Sequence, residues 1–250
     1  MKVIFYGIGG AMGTIFRSVA AEDNDIEIVC GIDKYPEKCQ CGFPVYSSCK
    51  QVQENADCII DFSMHACVYD YLPFAIERNI PCVIATTGFD DAETEYIKEA
   101  AKKIPILKSG NMSLGINLLL QLAKTCAKVL GDKADVEIVE QHHNRKIDAP
   151  SGTALLLADG VKSVLPDSEY VLGRSGICKR KKGEIGINSV RGGTIVGKHE
   201  VMFIMNNEIV TLKHEVESRS VLALGSISAA KFIVGKPVGL YSMEDLFNNV

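Results

Sequence analysis

Five short apolar runs punctuate the first 110 residues, at 2–6, 26–32, 57–62, 81–85 and 104–107. Each has the length of a buried strand, and together they fit a sheet covered on both faces. Helical periodicity fills the gaps at 14–21, 65–78 and 92–103, the last with its charges on one face. Strands alternating with helices predict a parallel sheet with right-handed crossovers. The rhythm changes after about residue 112. A long helix is expected over 115–130, a strand over 136–141 and a helix over 153–164. The stretch 166–183 reads as loop. Strands follow at 184–190, 200–205 and 209–214, with Asn206-Asn207 as a hairpin turn between the last two. A helix over 219–234 is expected to pack back on the first sheet. The fold class is therefore α/β: a Rossmann-type parallel-sheet domain plus an inserted α+β domain with a mainly antiparallel sheet. The boundaries are expected at 1–112 with 217–250 for the first domain and 113–216 for the second. No internal repeat or low-complexity tract interrupts this plan.

Composition narrows the setting. The 250 residues are 47% hydrophobic and 23% charged, which suits one large domain or two small ones. The net charge of −4 gives no general attraction to nucleic acid or anionic membrane, so neither is expected as a partner. An anionic substrate must be met by local charges. The basic run Lys179-Arg180-Lys181-Lys182 reads as a solvated loop. Nine cysteines are present, an odd number, and Cys39 and Cys41 form the one close pair. A zinc site needs four ligands at recognisable spacing, so the cysteines read as scattered reduced thiols and no metal is expected. No secretory segment and no apolar run of ~18 residues is found. The expected location is the reducing cytoplasm.

The loop after the first strand carries Gly7, Gly9, Gly10 and Gly13. A G-x-G-x-x-G register fails because Met12 stands at its last position. G-x-x-G-x-x-G fits, through Gly7, Gly10 and Gly13. Glycines there allow a tight strand-to-helix turn and close approach of a pyrophosphate to a helix N-terminus. Asp33 follows Gly13 by twenty residues and closes the second strand, where an acid can accept from ribose hydroxyls. Lys34 beside it can instead neutralise a 2′-phosphate. This pair leaves NADH and NADPH both open as cofactor. Ala85-Thr86-Thr87-Gly88 ends the fourth strand, where small hydroxyl residues can reach the nicotinamide end of a cofactor.

The segment from Glu140 to Ala154 concentrates chemistry. It holds His142, His143, Lys146 and Asp148, then Ser151-Gly152-Thr153 at a helix start. Histidine is a proton donor near neutral pH, and lysine a compact cation. Small residues at a helix start offer N–H groups to a carboxylate or phosphate. Glu140 and Asp148 can orient this cluster or serve as structural pairs, with Asp148 expected to be structural. His65, His199 and His214 lack such company and are expected to be structural.

These motifs together resemble one family, the dihydrodipicolinate reductases (4-hydroxy-tetrahydrodipicolinate reductases). The likeness is carried by the glycine loop, Ala85-Thr86-Thr87-Gly88-Phe89, Asn111-Met112-Ser113-Leu114-Gly115-Ile116-Asn117 and above all the histidine segment. Glu184-Ile185-Gly186, Val190-Arg191-Gly192-Gly193, Val196-Gly197, His199-Glu200-Val201 and Gly239-Leu240-Tyr241-Ser242-Met243 extend it to nearly the full chain. The resemblance implies NADH- or NADPH-dependent reduction of a small cyclic imine dicarboxylate in the route to diaminopimelate and lysine. It implies that His142 is the proton donor, and that Lys146 assists catalysis and holds a carboxylate. It implies substrate contacts at His143, Gly152 and Thr153. Cofactor contacts would come from Gly7, Ile8, Gly9, Gly10, Ala11, Met12, Asp33, Lys34, Ala85, Thr86, Thr87, Ser109, Gly110, Asn111 and Met112. It also implies a homotetramer built through the sheets of the second domain, whose expected roles are substrate binding and oligomerisation.

The chain departs from the family pattern in places. Ala85 replaces the usual glycine, and a positive φ there would be strained. Ala11 stands where an arginine is frequent, Met64-His65-Ala66 where a proline is usual, and Asn188 where histidine is frequent. Aspartate or homoserine dehydrogenases also pair a Rossmann domain with a mixed domain, but lack the histidine segment. A dinucleotide-sensing regulator would need a DNA-binding module or basic face. In the expected arrangement the hydride source and His142 lie on different domains and meet across a closing cleft.

Overall fold

A computed structural model describes residues 1–247. The first expected sheet is present and larger than five strands. In chain order its elements are β1 (Lys2–Tyr6), α1 (Ala11–Glu22), β2 (Glu27–Ile32), β3 (Val45–Tyr46), β4 (Cys58–Asp61), α2 (Val68–Arg78), β5 (Cys82–Ile84), α3 (Asp91–Ala101) and β6 (Pro105–Lys108). The remaining elements are α4 (Leu114–Leu130), β7 (Asp135–His142), α5 (Gly152–Val164), β8 (Glu169–Leu172), β9 (Glu184–Arg191), β10 (Gly197–Ile204), β11 (Ile209–Val216), α6 (Ser220–Ile233), β12 (Gly239–Tyr241) and α7 (Met243–Phe247). The chain divides into two compact units, Met1–Ser113 with Arg219–Val250, and Leu114–Ser218.

In the first unit seven strands run parallel in the order β12-β6-β5-β4-β1-β2-β3. β1, β4 and β5 are wholly or almost wholly buried, which is why they read as continuous apolar runs. β3 and β12 have two and three residues and carry no period to read. Apolar cores cover both faces. One is built on Ile4, Ile59 and Tyr71, the other on Phe5, Phe16, Met112 and Ile227. α6 lies in this second core beside α1, as expected for the returning helix. Its close approach depends on Gly225, where a Cβ would run into the Met112 carbonyl. α3 starts with a capping box between Asp90 and Glu93, which satisfies two of the helix's orphan donors.

The second unit has a five-stranded sheet in the order β11-β10-β7-β9-β8. It is mixed rather than mainly antiparallel. β10 pairs antiparallel with β11 and β7, whereas β9 pairs parallel with β7 and β8. The chain leaves β7 through α5 and returns along the same direction, so this half is a crossover and not a meander. β8 lies within the expected loop; its four residues are half-exposed and too few to show a pattern. α4 and α5 cover one face, on a core of Ile116, Leu120, Val136, Ile138, Leu157, Ile187 and Phe203. The basic run is not wholly solvated either. Arg180 Nε reaches Asp135 at 3.0 Å, its Nη2 donates to the Val136 carbonyl at 3.1 Å, and it also pairs with Glu137. A cation among strand ends thus pins the loop to β7.

Candidate active site

The cofactor-type loop is shaped by its glycines. Gly7 has φ +90°, a region that favours glycine. A Cβ on Gly13 would overlap the backbone of Gly7 and Ile8, so α1 starts tight against the loop. Gly10 is the N-cap of α1 and no side chain caps that end. Gly9, Gly10 and Ala11 are exposed there, so N–H groups of the first turn face outward to an anion. Asp33 is drawn into the loop: its Oδ2 accepts from the Gly9 N–H at 2.9 Å and its Oδ1 from the Tyr35 N–H at 3.0 Å. Lys34 and Lys38 place their Nζ atoms 5.3 and 4.3 Å from the Tyr35 ring centroid. This is a cradle of bare backbone with an acid and two amines at its rim, and it fits a nicotinamide dinucleotide.

The other expected cofactor positions divide. Thr87 is exposed and lies against Gly110, so the turn after β5 and the segment after β6 come together. Thr86 is buried and its Oγ1 accepts from the Ser63 N–H at 2.9 Å. Ser109 and Asn111 bond mainly within their own segment. Ile8 and Met112 are core side chains, which leaves only their backbone for a ligand. Met12 is half-buried against the same core. Ala85 carries no strain. Asn79 is the one non-glycine with positive φ among the described residues, and in the Ala85 turn that conformation falls on Gly88, at φ +82°.

The second cluster begins on β7. Val136, Ile138, Glu140 and His142 alternate onto the helix-covered face, and all four are buried. Glu140 has no solvent exposure and His142 only 9%. Glu140 Oε2 lies 2.6 Å from His142 Nδ1. Arg191, at the end of β9, grips the same carboxylate through Nη1 at 2.8 Å and Nη2 at 2.6 Å. Burial alone would raise the Glu140 pKa, but hydrogen bonds from Arg191, Ser189 and His142 hold it at about 2. The carboxylate is therefore charged throughout the neutral range.

The loop to α5 turns at His143–Lys146, where the Lys146 N–H donates to the His143 carbonyl at 3.1 Å. Lys146 Nζ sits 2.8 Å from Asp148 Oδ1. That hydrogen bond lowers the Asp148 pKa and gives Asp148 a pairing role. Ser151 is the N-cap of α5; its Oγ accepts from the Ala154 N–H at 3.1 Å. Gly152 is exposed, and a Cβ there would meet nothing within 4 Å. The helix start is thus open at the place expected for a carboxylate.

The sequence reading missed four members of this cluster. Glu140 was left between two roles, and Arg191 and Gly197 were given none. His199 was set apart as lacking company. It is 3% exposed, its Nε2 is 3.1 Å from Ser151 Oγ, and its ring meets that of His142 edge-on at 5.2 Å. Burial, with His142 next, pushes its pKa down to about 4, so it is neutral at pH 7. A Cβ on Gly197 would lie 3.2 Å from His142 Nε2. The available signal was an acid on the buried face of an alternating strand, and a second alternation, Gly197-His199-Val201-Phe203, on β10. Asn188 lies apart: it donates to Glu137 on the opposite face of the sheet. His65 bonds Glu93 at 2.6 Å in the first unit. Among the described residues no group of three or more His, Cys, Asp or Glu could hold a metal ion.

Family profiles for dihydrodipicolinate reductase match both parts of this chain, the N-terminal one at residues 1–112 and the C-terminal one at 115–247. The chain belongs to the dihydrodipicolinate reductase family. The 4-hydroxy-tetrahydrodipicolinate reductase of Caldanaerobacter subterraneus subsp. tengcongensis is 50% identical over 98% of each chain. That of Clostridium tetani is 42% identical over 100% of this chain and 98% of its own. Among solved structures, a dipicolinate-bound dihydrodipicolinate reductase from Paenisporosarcina sp. TG-14 superposes with a TM-score of 0.81, covering 97% of each chain at 23% identity. Membership in this reductase family accounts for both a dinucleotide cradle and a histidine cluster in one chain.

Proposed function

We infer that this chain reduces 4-hydroxy-tetrahydrodipicolinate, a small cyclic dicarboxylate, in the route to diaminopimelate and lysine. The observation that carries the reading is His142, held by a buried carboxylate ten residues ahead of an open helix start. When bound, reduced NAD or NADP supplies the hydride. The residues that would hold it are the Gly7–Ala11 backbone, Asp33, Lys34 and the Thr87 and Gly110 turns. Asp33 suits a free ribose hydroxyl, and the Lys34 and Lys38 amines suit a 2′-phosphate, so both cofactors are expected to serve.

The ring that accepts the hydride gathers negative charge toward its nitrogen, and His142 is placed to give the proton. Lys146 offers its charge to one carboxylate. The N–H groups at the start of α5, with His143 beside them, take the other. Holding both carboxylates orients the ring and supplies much of the rate. Lys146→Ala should lower kcat and raise KM together by about tenfold or more, since a buried or bidentate charge contact is lost in ground and transition state alike. A raised KM alone would leave Lys146 as a binding residue.

The assembly proposed is a cytoplasmic homotetramer formed through the sheet of the second unit, with no nucleic-acid or membrane partner. Its support is the sheet face opposite α4 and α5, where Val139, Val190, Met202 and Ile204 stand among charged residues. No helix among the described residues is long and apolar enough to cross a membrane. Sedimentation as a monomer would overturn the tetramer. The activity is tested by initial rates with NADH and with NADPH on freshly made substrate. Oxidation of either cofactor that depends on that substrate supports the reading; none with either cofactor overturns it.

A further inference from the structure

We propose that Glu140, braced by Arg191, is the positioning residue that selects which nitrogen of His142 faces the substrate and ties that histidine to the anion-binding start of α5. The proposal rests on the reading of His142 as proton donor. Its ground is how the two oxygens of one carboxylate are shared. Oε2 takes His142 Nδ1 at 2.6 Å and Arg191 Nη1 at 2.8 Å. Oε1 takes Arg191 Nη2 at 2.6 Å and the Ser151 N–H at 3.1 Å. Ser151 in turn caps α5 through its hydroxyl. A single buried group therefore touches the acid and the first residue of the anion site.

Two consequences follow from elementary chemistry. A carboxylate on Nδ1 keeps the proton of that nitrogen, so the transferable proton sits on Nε2. Gly197 leaves the flank of Nε2 clear of a side chain. The carboxylate also favours the imidazolium, while Arg191 limits that effect by sharing its charge. The other groups facing the ring add no second anion. His199 on β10 is neutral at pH 7, and burial lowers the pKa of His214, its partner on β11. Lys146 and Asp148 in the loop pair with each other, and α5 contributes the uncharged Ser151.

The test is the pH dependence of kcat in the saturated holoenzyme. An acid must be protonated, so kcat falls as pH rises through its pKa. Glu140→Gln removes the anion, and the falling limb should move to lower pH by about one unit or more. Arg191→Met removes the opposing cation and should move the limb to higher pH. A purely structural pair would lower kcat in both variants with the limb unmoved or moved the same way, and that result overturns the proposal. Turnover surviving in His142→Gln would overturn the reading of His142 itself. Turnover lost in His142→Gln, with an unmoved limb in Glu140→Gln, would overturn only the positioning role. Wild-type protein gives an answer even if a variant fails to fold. Nitrogen NMR of labelled histidine should find neutral His142 protonated on Nδ1; protonation on Nε2 overturns the proposal.

Discussion

Replacing His142 with glutamine should reduce kcat by about a hundredfold or more, the range of a lost general acid, while KM stays within a factor of about three. Glutamine fills much of the same space and can still bond Glu140, but it has no proton to give. The residues proposed to hold the substrate, Lys146 and the start of α5, lie on the following loop and helix and remain in place. Binding and turnover should therefore separate, which is the signature of an interaction made only in the transition state. His143→Gln offers the contrast. Residue 143 lies past the end of β7 and outside the Glu140 bond, so its loss should act mainly on KM. Steady-state rates with saturating cofactor decide the matter. If His142→Gln keeps kcat within a few-fold of wild type, the proton comes from elsewhere.

The strands of the first unit were legible because both faces of its sheet are covered, which forces continuous apolar runs such as Val3–Phe5 and Cys58–Ile60. Edge strands escaped. β3 and β12 need only a few backbone bonds, and these leave no side-chain pattern. In the second unit the strands β7, β9, β10 and β11 were found by alternation, but their pairing was not. Direction is set by the α5 crossover, and a strand carries no mark of which neighbour it will take. The site shows the same division. His142, Lys146 and Gly152 fall within eleven residues and were read as one cluster. Arg191 joins that cluster from 51 residues downstream of Glu140 because β9 lies beside β7. His199 joins because β10 lies on the other side. A contact made by sheet register is invisible until the register is known.

The glycines of the two clusters should respond in opposite ways to one added methyl group. Gly13→Ala puts a carbon within van der Waals overlap of the Gly7 and Ile8 backbone, which no rotamer change relieves. α1 must move off the loop. Overpacking of this kind costs about 1–3 kcal/mol, so the Tm should fall by several degrees. The outward N–H groups of the first turn move with the helix, so NADPH affinity should drop by about tenfold or more, near the value of one or two lost hydrogen bonds to a charged group. Gly152→Ala adds its carbon to empty space. Tm and NADPH affinity should be unchanged, whereas KM for the dicarboxylate should rise because the methyl group occupies the open start of α5. Thermal unfolding, cofactor fluorescence titration and steady-state KM measure the three quantities. An unchanged KM in Gly152→Ala would move the carboxylate away from α5, and an unchanged NADPH affinity in Gly13→Ala would show that the cradle does not depend on the tight start of α1.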